Sequence, residues 1–205
     1  AVGHTQNVLA MESLIDMVAH TTARDPIELR LSLLQKGTSQ QKRLSNVIKV
    51  ARDMSGWKVG QKRGFASSYT FRSFLAVVAD VTVKGNDVHV DKLYAAVDCG
   101  VAINPDIIKA QLEGGMGYGL SAIARNEVTF KEGEVEQSNF PNYPTLRMAE
   151  MPEVEVKIVN SNESPGGIGE PGTPIVGPAV TNAIFALTGK RVTEFPLSKS
   201  GLELV

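Results

Sequence analysis

The sequence is poor in the residues that build metal and redox centres, with one cysteine, Cys99, and three histidines in 205 residues. A lone thiol closes no internal disulfide, and on its own it cannot supply an iron–sulfur cluster or a Cys-rich zinc site. An excess of charge is missing as well. Lys+Arg 21 against Asp+Glu 22 leaves a net charge of -1, and no basic run offers the counterion-releasing footprint of a nucleic-acid binder. No nucleic-acid partner is expected. No apolar run approaches the ~18 residues that suggest a bilayer span. The opening "AVGHTQNVLAMES" has no basic region followed by an apolar one, so it does not read as a secretory signal. It also lacks an initiator Met, which fits a processed product or part of a larger polypeptide.

What is present suffices for a core. At 42% hydrophobic, a chain of this length can bury a sizeable interior in one large domain or two small ones. The pattern changes near residue 60. Before it, Val8, Met11, Leu14, Ile15 and Val18 recur at helical spacing. "DPIELRLSLLQKG" then supplies a cap at Asp25, a helix-opening Pro26, a reciprocal cap at Glu28 and a left-handed exit at Gly37. Leu44, Val47, Ile48 and Ala51 mark a third helix ending near Gly56. After residue 60, "SFLAVVADVTV" and "VHVDKLYAAVD", joined by "KGND", read as an antiparallel hairpin. Asn104 and Pro105 open another helix, short strands are expected near 126–137 and 153–159, and a last helix is expected from Pro178 to Leu187, stopped by Gly189. The expected fold class is α+β, divided into a helical segment, 1–60, and a mixed segment, 61–205.

Two stretches carry candidate chemistry. "ESPGGIGEPGTPIVGPAV", residues 163–180, packs five glycines, four prolines and two carboxylates together. Gly167, Gly169 and Gly172 match the dinucleotide pattern G-x-G-x-x-G, but Pro171 and Pro174 are expected to delay the helix that such a motif needs. A turn-rich connection is one reading of this stretch. The other starts from Glu170, set between Gly169 and Pro171, which keep bulk away and hold the backbone, as suits a general base presented to a reagent. In "NPDIIKAQLEGGMGYGLS", residues 104–121, Gly114, Gly115, Gly117 and Gly119 either bare the backbone to a flat or phosphorylated ligand beside Gln111 or allow tight helix packing. Both readings stay open on the residues alone.

The segments "AVDCGVAINPDIIKAQLEGGMGYGLSAI", "NFPNYPTLRMAEMPEVEVKIV" and "PGGIGEPGTPIVGPAVTNAIFALTGKR" resemble, in order, the C-terminal part of the molybdenum-cofactor-binding subunit of the xanthine dehydrogenase and aldehyde oxidase family. The branch they resemble is that of isoquinoline 1-oxidoreductase β-subunits and membrane-associated aldehyde dehydrogenase large subunits. The resemblance implies the C-terminal portion of a molybdopterin-binding domain, oxidising an aldehyde or an N-heterocycle with water as the oxygen source. It implies that Glu170 is the base toward the molybdenum-borne hydroxyl, in a dry pocket. It further implies that Gln111 hydrogen-bonds the cofactor, with Gly114, Gly115, Gly167 and Gly169 lying against it, and that no residue of this chain ligates the metal.

The implied cofactor is a molybdopterin-type molybdenum cofactor, as such or as its cytosine dinucleotide. The implied partners are the upstream part of the molybdenum subunit, a subunit carrying 2Fe-2S clusters and an electron acceptor such as a cytochrome c. Placement on the periplasmic side of the inner membrane is implied over the cytoplasm. A non-catalytic assembly module of the same fold is the alternative.

In relatives an arginine precedes the segment that begins here at Ala1, so His4 and Gln6 either line the pocket or serve as polar surface and cap. Arg147 either contacts a phosphate or makes a surface ion pair. Cys99 reads as a small buried hydrophobe. Where relatives often carry His-Glu-Ser-Phe-Gly, this chain has "SSYTFR", with Ser68 and Tyr69 replacing the His and Glu, so the roles of those two residues do not carry over.

Overall fold

Two long strands form the spine of this computed structural model, which describes residues 1–35 and 37–205. They are β2 (Ser73–Lys84) and β3 (Asp87–Asp98), paired antiparallel through the turn at Gly85, whose φ of +63° suits glycine. An irregularity in the register skips Asp91 between the pairs Asp80↔Lys92 and Val81↔Val90. The extra residue keeps Val88 and Val90 in the same cluster as Leu93, Ala95 and Val97. β1 (Gly64–Thr70) adds antiparallel to β2. β6 (Glu153–Ile158) and β7 (Glu203–Leu204) run parallel to β3 along its other edge. A separate short hairpin joins β4 (Phe130–Lys131) to β5 (Glu134–Val135).

Strand alternation sends side chains to both faces of this sheet, and each face carries its own core. On one, Phe65, Phe74, Ala76, Val78 and Ala96 pack against Ile27 of α2 (Pro26–Leu33) and Val47, Ile48 and Ala51 of α3 (Ser39–Ser55). On the other, Leu75, Val77, Ala79, Leu93, Ala95 and Val97 meet α4 (Pro105–Ala124) and α5 (Gly172–Thr188). The fold is α+β, with helices on both sides of a mixed sheet. No helix among the described residues is long and apolar enough to cross a membrane.

The helix signals were largely legible, with instructive exceptions. Asp25 caps α2 through the N–H groups of Ile27 and Glu28, and Gly56 closes α3 at φ +65°. Glu28 makes no reciprocal cap and turns instead to Arg52 at 3.3 Å. α2 stops at Leu33, short of the expected exit at Gly37; Lys36, in the stretch between, lies outside the described residues. α5 begins at Gly172, six residues before the expected Pro178. Pro174 sits in its first turn, where backbone N–H groups have no intrahelical partner to lose.

The largest departure is α1 (His4–Thr21). Its apolar residues Met11, Leu14 and Val18 are exposed, while Glu12 and Asp16 point inward. Helical spacing alone says that one face is apolar, not that this face is the buried one. Here the inner face is ionic. Glu12 accepts hydrogen bonds from Arg30 of α2 at 2.9 Å and from the Ser67 N–H of β1 at 2.7 Å, and Arg191 reaches Asp16 at 2.6 Å. These contacts pin α1 to α2 and β1, which fixes where its first turn lies.

Candidate active site

The loop carrying Glu170 bridges β6 and α5 and is anchored at several points. Near its start, the Val101 N–H donates to the Glu163 carbonyl at 2.9 Å, and the Gly166 N–H donates to the Cys99 carbonyl at 2.8 Å. Gly100 permits this approach: its φ is +75°, and a Cβ there would stand 2.3 Å from the Ser164 carbonyl oxygen. Asp98 fixes the same corner by accepting from the Gly100 N–H at 3.0 Å and from Arg43 at 2.8 and 2.6 Å. Burial pushes the Asp98 carboxyl up, but the Arg43 hydrogen bonds and the Gly100 N–H outweigh it and hold the group below its ordinary value.

Farther along, Gly167 is gripped from two sides. Its N–H donates to the Phe71 carbonyl at 2.8 Å, and its own carbonyl accepts from Ser73 Oγ at 2.7 Å. The Glu170 carbonyl then accepts from the Thr173 N–H at 3.0 Å, joining the loop to the first turn of α5. The carboxylate is thus presented on a braced backbone at a helix N-terminus, where negative charge is favoured.

Three elements converge around it. The Ala1 backbone nitrogen lies 3.6 Å from Glu170 Oε2. His4, in the first turn of α1, meets the Phe71 ring edge-on with centroids 5.1 Å apart. Gln111 reaches from α4, its Oε1 3.8 Å from where a Cβ on Gly169 would stand. Ile107, Gln111, Gly114 and Tyr118 are all exposed and recur at helical spacing, so they share one outward face of α4. Beside that face, Glu113, Gly114, Gly117, Met151, Pro152 and Val154 line a shallow depression of about 450 Å³.

The structure sorts the glycines. All four in 114–119 lie inside α4, which continues to Ala124, so they do not bare backbone at a helix end. Gly115 and Gly119 are packing positions: a Cβ on Gly115 would stand 3.3 Å from Gly172 Cα, and one on Gly119 would stand 2.4 Å from the Thr173 carbonyl oxygen. Gly114 has nothing within 4 Å and remains open. Gly167 and Gly169 do not adopt positive φ. Gly167 instead admits Phe71, whose Cβ would lie 3.0 Å from an added Cβ, whereas an added Cβ on Gly169 would stand 3.8 Å from Gln111 Oε1, an ordinary contact distance.

Other expectations changed on contact with the structure. The Glu170 side chain is 52% exposed, so this chain's own walls do not make a dry pocket. Because α5 opens at Gly172, Pro171 and Pro174 do not delay the helix, and that objection to a dinucleotide loop fails. A better one replaces it: the loop 159–171 separates β6 from α5, so there is no close strand-to-helix turn. Arg147 stays exposed, and Glu150 pairs with Arg125 instead. Cys99 is buried in the core, and burial pushes its thiol up. Among the described residues no group of three or more His, Cys, Asp or Glu is placed to hold a metal ion. Sequence reading missed Phe71, Ser73 and Gly100 as supports of the loop. Only Gly100, next to a strand end, carried a local signal for a tight turn.

A braced carboxylate beside an open, glycine-dented helix face describes a ligand-binding α+β domain. Solved structures share the fold: CO dehydrogenase from Oligotropha carboxidovorans aligns with TM-score 0.53 and 24% identity over 63% of this chain and 18% of its own. The chain belongs to the molybdopterin cofactor-binding domain family, whose match spans residues 11–152. It is 33% identical to isoquinoline 1-oxidoreductase subunit beta of Brevundimonas diminuta over 96% of this chain and 26% of that protein. It is 32% identical to the membrane-bound aldehyde dehydrogenase [pyrroloquinoline-quinone] of Gluconacetobacter polyoxogenes, over 91% of this chain and 27% of that one. The chain therefore spans about a quarter of the length of these relatives.

Proposed function

We propose that this chain is the C-terminal catalytic portion of a molybdenum hydroxylase that oxidises an aldehyde or an N-heterocycle, with Glu170 as the base. The observation that carries the reading is the placement of Gln111, on the exposed face of α4, beside the loop that presents Glu170. The packing of α4 on α5, where an added Cβ on Gly172 would stand 2.7 Å from the Leu112 carbonyl oxygen, sets Gln111 beside the loop and leaves its amide on the exposed face.

The residues present fit a molybdopterin-type cofactor. Gln111 offers both a donor and an acceptor on an exposed helix face, and open Gly114 beside it lets a flat ring approach the helix. Ser68 Oγ and Thr70 Oγ1, on the strand leading to Phe71, are buried without a hydrogen-bond partner, and such hydroxyls favour a polar group brought against them. When bound, the cofactor supplies the two-electron oxidation and the water-derived oxygen. Gln111 would orient it through its amide. Glu170 would accept a proton at a carboxylate oxygen, held to one position by the Gly167 and Thr173 contacts behind it.

Water exclusion has to come from elsewhere, because half of the Glu170 side chain is open. The upstream part of the molybdenum subunit would supply that wall, and the exposed Met11, Leu14 and Val18 of α1 offer it an apolar seat. An iron–sulfur subunit and an electron acceptor beyond it would carry the electrons away. Glu170→Gln in the assembled, molybdenum-loaded enzyme keeps volume and removes the proton acceptor, so turnover should fall about 10²–10⁴-fold with loading unchanged. Turnover within a few-fold of the parent at full molybdenum content would remove Glu170 from catalysis. An assembled complex that never takes up molybdenum would favour the non-catalytic assembly module.

A further inference from the structure

We propose that the cavity between the C-terminal ends of α1 and α5 and the connection from α3 to β1 binds a small carboxylate with an apolar body. Arg24 and Lys62 hold its charge, and Trp57 receives its body.

The cavity has a volume of about 360 Å³, and His20, Arg24, Trp57, Val59, Lys62 and Ala186 are among the residues that line it. Such a volume suits a small organic ligand. His4 opens the 18-residue α1 and His20 stands in its last turn, so the helix sets the cavity about 25 Å from the Glu170 loop.

The charges around it say what it attracts. Asp25 is on the wall, but both its oxygens are taken: Oδ1 accepts from the Ile27 and Glu28 N–H groups at 2.9 and 3.0 Å, and Oδ2 accepts from Trp57 Nε1 at 3.0 Å. Arg63, also on the wall, is engaged by Asp80 and by the Ser55 carbonyl at 2.8 Å. Acids on the neighbouring elements are paired as well, Asp16 with Arg191 and both Glu28 and Asp53 with Arg52. Arg24 and Lys62 pair with no carboxylate among the described residues. Arg24 gives one N–H to Ser32 Oγ at 2.8 Å and keeps the rest of its guanidinium, while the Arg24 backbone N–H is fixed to the Ala19 carbonyl at 2.8 Å. Even with Asp25 set against one of these two cations, the wall stays positive. A cleft of one sign with apolar walls concentrates its potential on an anion, and a guanidinium matches the planar fork of a carboxylate.

The walls ask for more than a bare anion. Trp57 is held by Asp25 at its indole nitrogen and edge-on by Phe65, with centroids 6.4 Å apart. Beside it Val59 is 76% exposed and Ala186 closes the floor from α5. An apolar group laid over these residues removes their surface from water, which a phosphate ion does not.

Trp57 is the only tryptophan of the chain, so its emission reads the cavity directly. The full chain is titrated with benzoate, with benzyl alcohol as the neutral counterpart and inorganic phosphate as the bare anion. Benzoate should change the emission saturably with a Kd on the order of 1 mM, as befits so small a ligand. Benzyl alcohol and phosphate should each bind at least about fivefold more weakly. Arg24→Gln and Lys62→Gln, both at exposed positions, should each weaken benzoate about tenfold. If Arg24→Gln also lowers the thermal midpoint through loss of the Ser32 contact, Lys62→Gln decides alone. Glu170→Gln should bind benzoate as the parent does. Emission that benzoate leaves unchanged or shifts without saturating, equal binding of benzyl alcohol or phosphate, parental affinity in Lys62→Gln, or affinity lost in Glu170→Gln overturns the proposal.

Discussion

Ser73 Oγ donates to the Gly167 carbonyl at 2.7 Å, joining residues 94 positions apart. Ser73 is fully buried, and a Cβ on Gly166 would stand 2.6 Å from its hydroxyl oxygen. The loop backbone therefore rests on the first residue of β2 with no room for a side chain between them. The presentation of Glu170 depends on a hydroxyl in the sheet as much as on the loop's own glycines.

Ser73→Ala should release this contact and leave the Gly167 carbonyl short of a donor. A loss of about 1 kcal/mol is expected in a urea titration. The local effect should be larger than the global one, since the loop can detach while the cores stay packed. Limited proteolysis should cut within 163–170 sooner than in the parent. Equal cutting rates would show that the Phe71 and Cys99 contacts hold the loop without Ser73.

The glycines of α4 should separate cleanly on substitution. Gly119→Ala places a methyl 2.4 Å from both the Thr173 carbonyl oxygen and Val176 Cγ1, so α4 and α5 must move apart. Overpacking of this kind costs about 1–3 kcal/mol. Gly114→Ala meets nothing within 4 Å and gains helix propensity, so the fold should hold or become about 0.5–1 kcal/mol more stable. Thermal unfolding of the two variants is the measurement. A destabilised Gly114→Ala would mean that its face is already in contact with protein.

The difference between Gly114 and Gly119 also marks how far the sequence could be read. Residues that signal through their neighbours in sequence were legible: the Asp25 cap, the Gly56 and Gly189 exits and the β2–β3 hairpin all appear where local chemistry puts them. Residues that signal through distant partners were not. α1 reads as an ordinary amphipathic helix, but its inward face is set by Arg30 and Arg191, 18 residues beyond Glu12 and close to the far end of the chain. β1 carries little local signal, because "GFASSYT" mixes small polar residues with no clear alternation. The glycines looked alike in sequence and divided only once α5 lay across α4. Glu170 and Gln111 stand in separate stretches of the sequence, and the packing of α4 on α5 that sets their segments side by side is a tertiary fact.

Acid should loosen the corner at Asp98. Its carboxyl is held below the ordinary value of 3.8, so its contribution is complete above that value and is lost as pH falls through the lowered folded one. Glu12 works in the opposite sense. Burial raises its carboxyl above 4.5 despite Arg30, so its contribution is complete below that value and is lost as pH rises through the raised one. The difference between the parent and Asp98→Asn isolates the first term. Thermal midpoints of the two should run parallel at neutral pH and converge below about pH 4. If the gap stays constant down to pH 2, the Arg43 contact is not what lowers the Asp98 carboxyl.

Gln111 lies where α4's outward face meets the Glu170 loop, so its replacement separates orientation from proton transfer. Gln111→Ala removes an exposed amide beside the loop, and its Cα stays in an intact helix. Folding of the chain should be unaffected within about 0.5 kcal/mol, as for exposed substitutions in general. In the assembled enzyme the same change would leave a polar group of the cofactor without its partner, at about 1–3 kcal/mol if the site is dry, which is roughly a 5- to 150-fold weaker hold. Molybdenum content after dialysis against a chelator should therefore fall, while Glu170→Gln keeps its metal and loses turnover. A Gln111→Ala enzyme that retains metal, reduction kinetics and turnover of the parent would place the cofactor away from this face of α4.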